Sequence, residues 1–261
     1  MSVLLPKLLL PSSESVGKHI LSTLHGFKLI IDPSIDSGVE LSLYETGTYE
    51  KGILDFIEKN FSENGVLLDV GANIGLMSIY TASKFPLAKV LAYEAHPDTY
   101  QILKDNIALN HLSNIATYQV AAGAHVGSVQ IFDNWSVNRG GASIKYGDPG
   151  SSGTNVDMVV LDEELEVEPT MIKIDVEGAE LDVLKGLKNS IEKSHPVLIV
   201  EVSKDRSKEG EVEEIYKFIK DFKQYSIYKL AGGKERVSRL IPVENMDDLP
   251  EHDNIICIAS A

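Results

Sequence analysis

From residue 66 onward, short aliphatic and β-branched runs alternate with amphipathic stretches. That alternation predicts parallel strands joined by crossover helices, a sheet with helices on both faces. "VLLDV" (66–70) reads as a buried strand, and Leu76, Ile79, Ser83 and Phe85 after it recur at helical spacing. "KVLAYE" (89–94) is a second strand, followed by a helix with Pro97 in its first turn and Tyr100, Leu103 and Ile107 along its inner stripe. "IATYQV" (115–120) is a third strand, and "GSVQIFD" (127–133) alternates like a half-exposed one. Residues 134–155 are rich in Gly, Ser and Asn and predict a long loop, a kind of segment that is usually functional or disordered. "MIKID" (171–175), a helix over 177–187, "VLIVEV" (197–202) and a helix carrying Val212, Ile215, Tyr216, Ile219 and Phe222 on one face complete the alternation. Three strand candidates then follow without intervening helices, "QYSIYKL" (224–230), "RLIPV" (239–243) and "NIICIA" (254–259), which predicts an antiparallel end to the sheet.

Composition narrows the function classes. A length of 261 residues with 43% apolar content fits one large domain or two small ones, one being preferred, and is enough for a substantial core. The net charge of −15 disfavours phosphate backbones and anionic headgroups as partners, so neither nucleic acid nor membrane is expected. The single cysteine, Cys257, excludes an intrachain disulfide framework and a Cys-built zinc site, and it points to a reducing compartment, by default the cytoplasm. "MSVLLPKLLLPSSES" at the start reads as an N-terminal arm, because Pro6 and Lys7 interrupt its apolar stretch. No apolar run approaches the ~20 residues of a membrane-spanning helix.

The sharpest chemical signal is "LLDVGANIG" (67–75), set between a buried strand and a helix. Gly71 suits a turn with positive φ, and Gly75 permits a close approach of helix or ligand. A dinucleotide fingerprint would have glycine where Asn73 stands, and Asp69 would be a poor neighbour for a pyrophosphate. The carboxylate suits a cofactor with a cationic end, such as S-adenosylmethionine. Glu94 ends the second strand about 20 residues after the glycine turn, the place of the acid that accepts from ribose hydroxyls. A nucleotide-dependent oxidoreductase is the rival enzyme reading, and a cofactor-binding module without catalysis is the rival of another class.

"LLDVGANIGLMSIYTA", "AYEAHPDTYQILKDNIALN", "VVLDEEL" and "IKIDVEGAELDVLKG" occur in an order and spacing that resembles the FkbM-type methyltransferases, class I S-adenosylmethionine-dependent enzymes. The resemblance spans about residues 44–203. It implies a Rossmann-like doubly wound, mostly parallel sheet with an antiparallel C-terminal strand, residues 44–261 forming the methyltransferase domain and 1–43 an arm or small subdomain. It also implies methylation of a hydroxyl on a small metabolite or saccharide. By the same resemblance Asp69, Gly71, Ala72, Asn73, Gly75 and Glu94 would contact the cofactor, with Ala121 in "VAAG" beside the adenine and Glu50 of "YETGTYE" near the methionine end.

Asp175, Glu177 and Glu201 fall at or near the ends of two strands and form a candidate catalytic cluster, with Asp175 also beside the cofactor. A buried carboxylate among others can accept a proton from an acceptor hydroxyl. His96 and His195 are further candidate bases, and three converging carboxylates are an alternative cradle for a hard cation, although no metal is assigned. In "NWSVNRGGASI" (134–144), Trp135, Asn138 and Arg139 are candidate acceptor contacts, Trp135 by stacking and Arg139 by pairing with an anion. "DEELEVE" (162–168) reads as a solvated face.

Overall fold

The computed structural model describes residues 10–132, 153–204 and 210–260. A short helix α1 (Ser13–Val16) precedes a hairpin of β1 (His19–Ser22) and β2 (Lys28–Ile31), and α2 (Val39–Thr46) and α3 (Lys51–Asn60) lead into the sheet. Then follow β3 (Val66–Val70), α4 (Leu76–Lys84), β4 (Lys89–Tyr93), α5 (Pro97–Leu109) and β5 (Ile115–Tyr118). Three strands, β6 (Ala121–Ala122), β7 (Gly127–Ile131) and β8 (Thr154–Val159), form a small separate sheet in the order β6-β8-β7. The chain continues through α6 (Leu161–Glu164), β9 (Met171–Ile174), α7 (Glu180–Gly186), α8 (Lys188–Ser194), β10 (Val197–Ser203) and α9 (Glu211–Asp221). It ends with β11 (Tyr225–Leu230), β12 (Leu240–Pro242) and β13 (His252–Ala259).

The main sheet runs β12-β11-β13-β10-β9-β3-β4-β5. β10, β9, β3, β4 and β5 are mutually parallel, whereas β13 inserts antiparallel between β10 and β11, and β12 pairs antiparallel with β11. The Rossmann-like, mostly parallel sheet with an antiparallel C-terminal end is therefore present. Strand order reverses at β3, which lies between β4 and β9, and ligands in open α/β sheets bind beyond the strand carboxyl ends at such a point.

Side-chain alternation divides the core in two. Leu67, Val90, Ala92, Met171 and Ile199 pack on one face with α3, α4 and α5, and Leu68, Leu91, Ile172, Ile174 and Val200 pack on the other with α7 and α9. Because period 2 sets the facing, Asp69, Lys173, Asp175 and Glu201 all fall on the first face, toward the strands' carboxyl ends. The hairpin belongs to that face too: Phe27, Leu29 and Ile31 are in its core. Asn106 of α5 accepts from the Ile30 amide at 2.6 Å, and Asn110 both accepts from and donates to the Lys28 backbone.

Two expectations shift. The helix expected from residue 177 begins at Glu180, because Glu177 and Gly178 take φ of 54° and 96° and form a turn instead. The long loop expected over 134–155 ends earlier, since β8 starts at Thr154 and pairs with β7 and β6. Among the described residues no helix is long and apolar enough to cross a membrane.

Candidate functional site

The chain leaves β3 through Gly71, Asn73 and Gly75, all with positive φ. A Cβ on Gly71 would lie 1.8 Å from the Asp175 carbonyl oxygen, so only glycine lets this turn press against the end of β9. A Cβ on Gly75 would meet Leu103 of α5 at 2.6 Å, which gives this glycine a packing role between helices. The Gly71 and Ala72 amides both donate to the Tyr93 carbonyl. Glu94 clamps two loops, its carboxylate accepting from the Asn73 amide and from the His96 amide, each at 2.9 Å. Burial pushes the Glu94 carboxyl up, and the two amides partly oppose that.

Beyond this clamp lies a cavity of about 220 Å³. Gly71, Asn73, Tyr93 and Glu94 line one side, and Val120, Ala121 and Ala122 provide an apolar wall. Asp175, Glu177, Glu201 and His252 line a further part of it. Asn73 Oδ1 and Thr99 Oγ1, both belonging to lining residues, are buried without a hydrogen-bond partner. Such orphans, next to a carboxylate placed for a diol and an apolar wall wide enough for a base, fit an adenosine-bearing ligand.

At the β9 and β10 ends the side chains form a charged network. Lys173, buried within β9, donates to Asp175 Oδ2 at 2.9 Å. Lys234, from the loop joining β11 to β12, lies 2.6 Å from Glu201 Oε1 and 3.1 Å from Glu50 Oε1, and 5.8 Å from the centre of the Tyr49 ring. It reaches there because α3 starts tightly against that loop: the Gly52 amide donates to the Lys234 carbonyl at 2.7 Å, and a Cβ on Gly52 would lie 2.6 Å from the Arg236 carbonyl oxygen. Carboxylate oxygens of Glu50, Asp175 and Glu201 come within 4.8 Å of one another, and ammonium groups hold all three.

Burial alone would raise the Asp175 carboxyl, but Lys173 and Lys234 outweigh it and hold it below the usual range. Burial and the Asp175 charge push Glu201 well above its ordinary value. Burial would lower the Lys173 and Lys234 ammonium groups; for Lys173 the charges of Asp175, Glu50 and Glu201, and for Lys234 chiefly those of Glu50 and Glu201, reverse that and keep both charged. The network thus sets two ammonium groups among three buried carboxyl groups, and such pairing is how buried charges become tolerable.

The other residues singled out from sequence fall as follows. Asp69 points under α4, where Ser78 Oγ donates to it at 2.5 Å, and burial lifts its carboxyl to about 6. Asp69, Ala72 and Glu50 line a smaller recess of about 50 Å³ that shares Tyr49, Gly71, Asn73 and Asp175 with the main cavity, while Gly75 lines neither. Glu50, Asn73 and Glu177, around the two cavities, are non-glycine residues held at φ of 47°, 50° and 54°, and such positions concentrate at functional sites. Glu180 turns back so that its carboxylate accepts from the Gly178 and Val176 amides, and burial lifts it to about 7. His96 lines the cavity on the Glu94 side. His195 is corrected as a candidate base: it is exposed and precedes β10 at the opposite end of the sheet. Trp135, Asn138 and Arg139 lie outside the described residues.

Lys173, Lys234, Tyr49, Thr99 and His252 escape the sequence reading. Only Lys173 carries a signal, as a cation within an apolar strand, which needs a buried partner. Lys234, in the β11–β12 loop, and His252, at the start of β13, come from the C-terminal part of the sheet, and nothing local marks them.

The family described as "Methyltransferase FkbM domain" matches residues 69–227. The methyltransferase sdnD of Sordaria araneosa is 32% identical over 161 residues, covering 49% of this chain and 62% of that protein. The hexuronic acid methyltransferase AglP of Haloferax volcanii is 28% identical over 154 residues, 58% of this chain and 61% of that one. The chain thus spans about three-fifths of the length of these relatives. The crystal structure of methyltransferase FkbM from Methylobacillus flagellatus KT shares the fold, with a TM-score of 0.51 at 18% identity, covering 76% of this chain and 44% of that one. With the family matching well over half of the sequence and a cavity suited to an adenosine-bearing ligand at the switch point of the sheet, the chain belongs to the FkbM methyltransferase family, and its cofactor is S-adenosylmethionine.

Proposed function

We propose that the protein transfers a methyl group from S-adenosylmethionine to oxygen, on a hydroxyl of a small metabolite or saccharide. The observation that carries this reading is the continuity of the cavity from Glu94 to the charged network at the β9 and β10 ends. S-adenosylmethionine supplies an electrophilic methyl group on a sulfonium. Glu94 would accept from the ribose hydroxyls while its two amide bonds fix its direction. Ala121 and its neighbours would hold the adenine, and Gly71, Asn73, Glu50 and Asp69 would surround the methionine end across the shared wall of the recess. Asp175, Glu177 and Glu201 would border the reacting centre, where negative charge favours the sulfonium and a fixed wall orients the acceptor. The hexuronic acid methyltransferase among the relatives supports a saccharide-sized acceptor.

Calorimetric titration of the full chain with S-adenosylhomocysteine, with NADH run in parallel, tests the cofactor half. The expected result is micromolar affinity for the thioether, none for NADH, and a loss on the order of 10- to 100-fold in Glu94→Ala, the range for hydrogen bonds to a charged group. Preferential binding of NADH would revive the oxidoreductase reading. For the transfer itself, a panel of glycosides and hydroxylated metabolites is incubated with donor and enzyme, and products are read by mass. Retained thioether binding with no methylated product would favour a cofactor-binding module without catalysis.

A further inference from the structure

A hydroxyl that accepts a methyl group must lose its proton to a lone pair on the cavity wall, and the carboxylates at the β9 and β10 ends are engaged. Asp175 Oδ2 accepts from Lys173 at 2.9 Å, and Glu201 Oε1 accepts from Lys234 at 2.6 Å. Glu50 Oε1 is held by the same Lys234. His96 stands beside Glu94, in the part of the cavity assigned to the ribose.

His252 lies on the same cavity wall. It opens β13 and pairs across the ladder with Ser203, so the antiparallel insertion of β13 beside β10 delivers its ring to the carboxyl end of the parallel strands. The ring lines the cavity with its side chain 34% exposed. Nδ1 lies 2.8 Å from Ser203 Oγ, which is buried, and Nε2 lies 3.7 Å from Glu201 Oε1. The hydroxyl fixes the ring plane from one edge, and the other edge faces the cavity beside the network.

We propose that His252 is the catalytic proton acceptor for the acceptor hydroxyl, with Nδ1–H donating to Ser203 and Nε2 presenting the lone pair. This deepens the O-methylation reading and rests on it. In the step, the acceptor oxygen forms a bond to the methyl carbon, the carbon–sulfur bond breaks with its electron pair staying on sulfur, and the hydroxyl proton moves to Nε2. The products are the methyl ether, S-adenosylhomocysteine and an imidazolium, which returns its proton to solvent along its exposed edge. The charged and titratable groups around the ring are Glu201 on β10, Lys234 and Asp175 behind it, Glu177 on the cavity wall, Asp253 on its own strand, and the Lys204–Glu251 pair at 2.8 Å near the ends of β10 and β13. A histidine is the side-chain type best matched to base catalysis near neutrality, whereas a carboxylic acceptor would arrive ionised and need no base. The proposal therefore commits the substrate class to alcohols.

Two measurements on the full chain test it. The first is an NMR titration of imidazole nitrogens with S-adenosylhomocysteine bound, the His252 signal being identified by its loss in His252→Gln. The expected result is a ring that titrates between about pH 5 and 8 and carries its neutral-state proton on Nδ1. A ring that keeps one protonation state throughout, or holds its proton on Nε2, overturns the proposal. The second is turnover of methyl glycosides, which offer hydroxyls alone, against glucuronic acid. His252→Gln is expected to lower kcat for hydroxyl transfer about 100-fold or more, remove the acid limb of the rate profile, and leave donor KM and S-adenosylhomocysteine affinity unchanged. Hydroxyl turnover kept within about 3-fold, a collapse in Glu177→Gln instead, or methylation of glucuronic acid alone overturns it. Absent thioether binding in the unmodified protein marks failure of the cofactor reading itself. If no acceptor in the panel reacts, the NMR titration decides.

Discussion

Around Glu94 the cavity is held by backbone: amides of Asn73 and His96 direct the carboxylate, and the Tyr93 carbonyl receives Gly71 and Ala72. Around Glu201 it is held by side chains from the β9 and β10 ends, the start of α3 and the β11–β12 loop, which meet through ammonium–carboxylate pairs. The first half is local in sequence and rigid by main-chain geometry. The second is assembled at long range and depends on charge balance. Backbone geometry should fail through sterics, regardless of pH, and the charged half should fail through unpaired charge, with a pH dependence.

The largest effect separating the two is expected at Gly71. Gly71→Ala demands a Cβ 1.8 Å from the Asp175 carbonyl at a φ of 83°, and neither backbone segment is a flexible end that can move aside. A loss of more than about 4 kcal/mol follows, seen either as failure to fold or as undetectable S-adenosylhomocysteine binding in calorimetry. Near-normal binding would mean that the β3 turn and the end of β9 are not pressed together as described.

Lys234→Met comes next, because it strips the shared cation from buried Glu50 and Glu201. Removing one partner of a buried pair costs about 3–5 kcal/mol, so urea unfolding should show a large fall in midpoint. The double variant Lys234→Met/Glu50→Gln should regain part of it, and a double-mutant cycle measures the coupling. Additive effects would place Glu50 outside the network. Thioether affinity should change far less than stability, since the Glu94 clamp does not touch this lysine.

The same division explains what could be read from the chain alone. β3, the glycine turn and Glu94 lie within one strand–helix–strand unit, so periodicity, turn chemistry and spacing specify them together. The order of strands beyond residue 224 was legible as antiparallel, but not that β13 would insert between β10 and β11. That insertion brings His252 to Ser203, and no local pattern encodes it. Lys234 sits in "AGGKER", which reads as any polar turn until Gly52 is found packed against its backbone. The motif marks Asp69 as a cofactor contact, but its hydrogen bond to Ser78 of α4 depends on packing that no local pattern spells out.

A third expectation concerns pH, at the turn joining the halves. Glu180 ties the Val176 and Gly178 amides, and burial lifts its carboxyl from 4.5 to about 7. A folded-state value above the unfolded one means that the folded protein binds the extra proton, so this contribution is complete below about pH 4.5 and is lost as pH rises through 7. Melting temperature should therefore decline from pH 5 to 8 more steeply in the unmodified protein than in Glu180→Gln, a difference of about 3 kcal/mol at most. Parallel curves would remove Glu180 as a source of the dependence.

The smallest effect is the most discriminating, because it lies in the charged half yet removes no charge. Ser203→Ala deletes the hydroxyl 2.8 Å from His252 Nδ1 and leaves the buried Lys–carboxylate pairs intact. Stability should fall by about 1 kcal/mol, the net worth of one neutral hydrogen bond. A ring that has lost its anchor samples other orientations and the second tautomer, so kcat for hydroxyl transfer should drop several-fold while donor KM stays fixed. Ser203→Thr keeps the hydroxyl and should restore the rate where the added methyl fits, a recovery that a purely packing role for Ser203 would not produce. The charged half would then be two systems with separate failures: a balanced network that keeps the β9 and β10 ends folded, and an oriented imidazole on its rim that takes the proton.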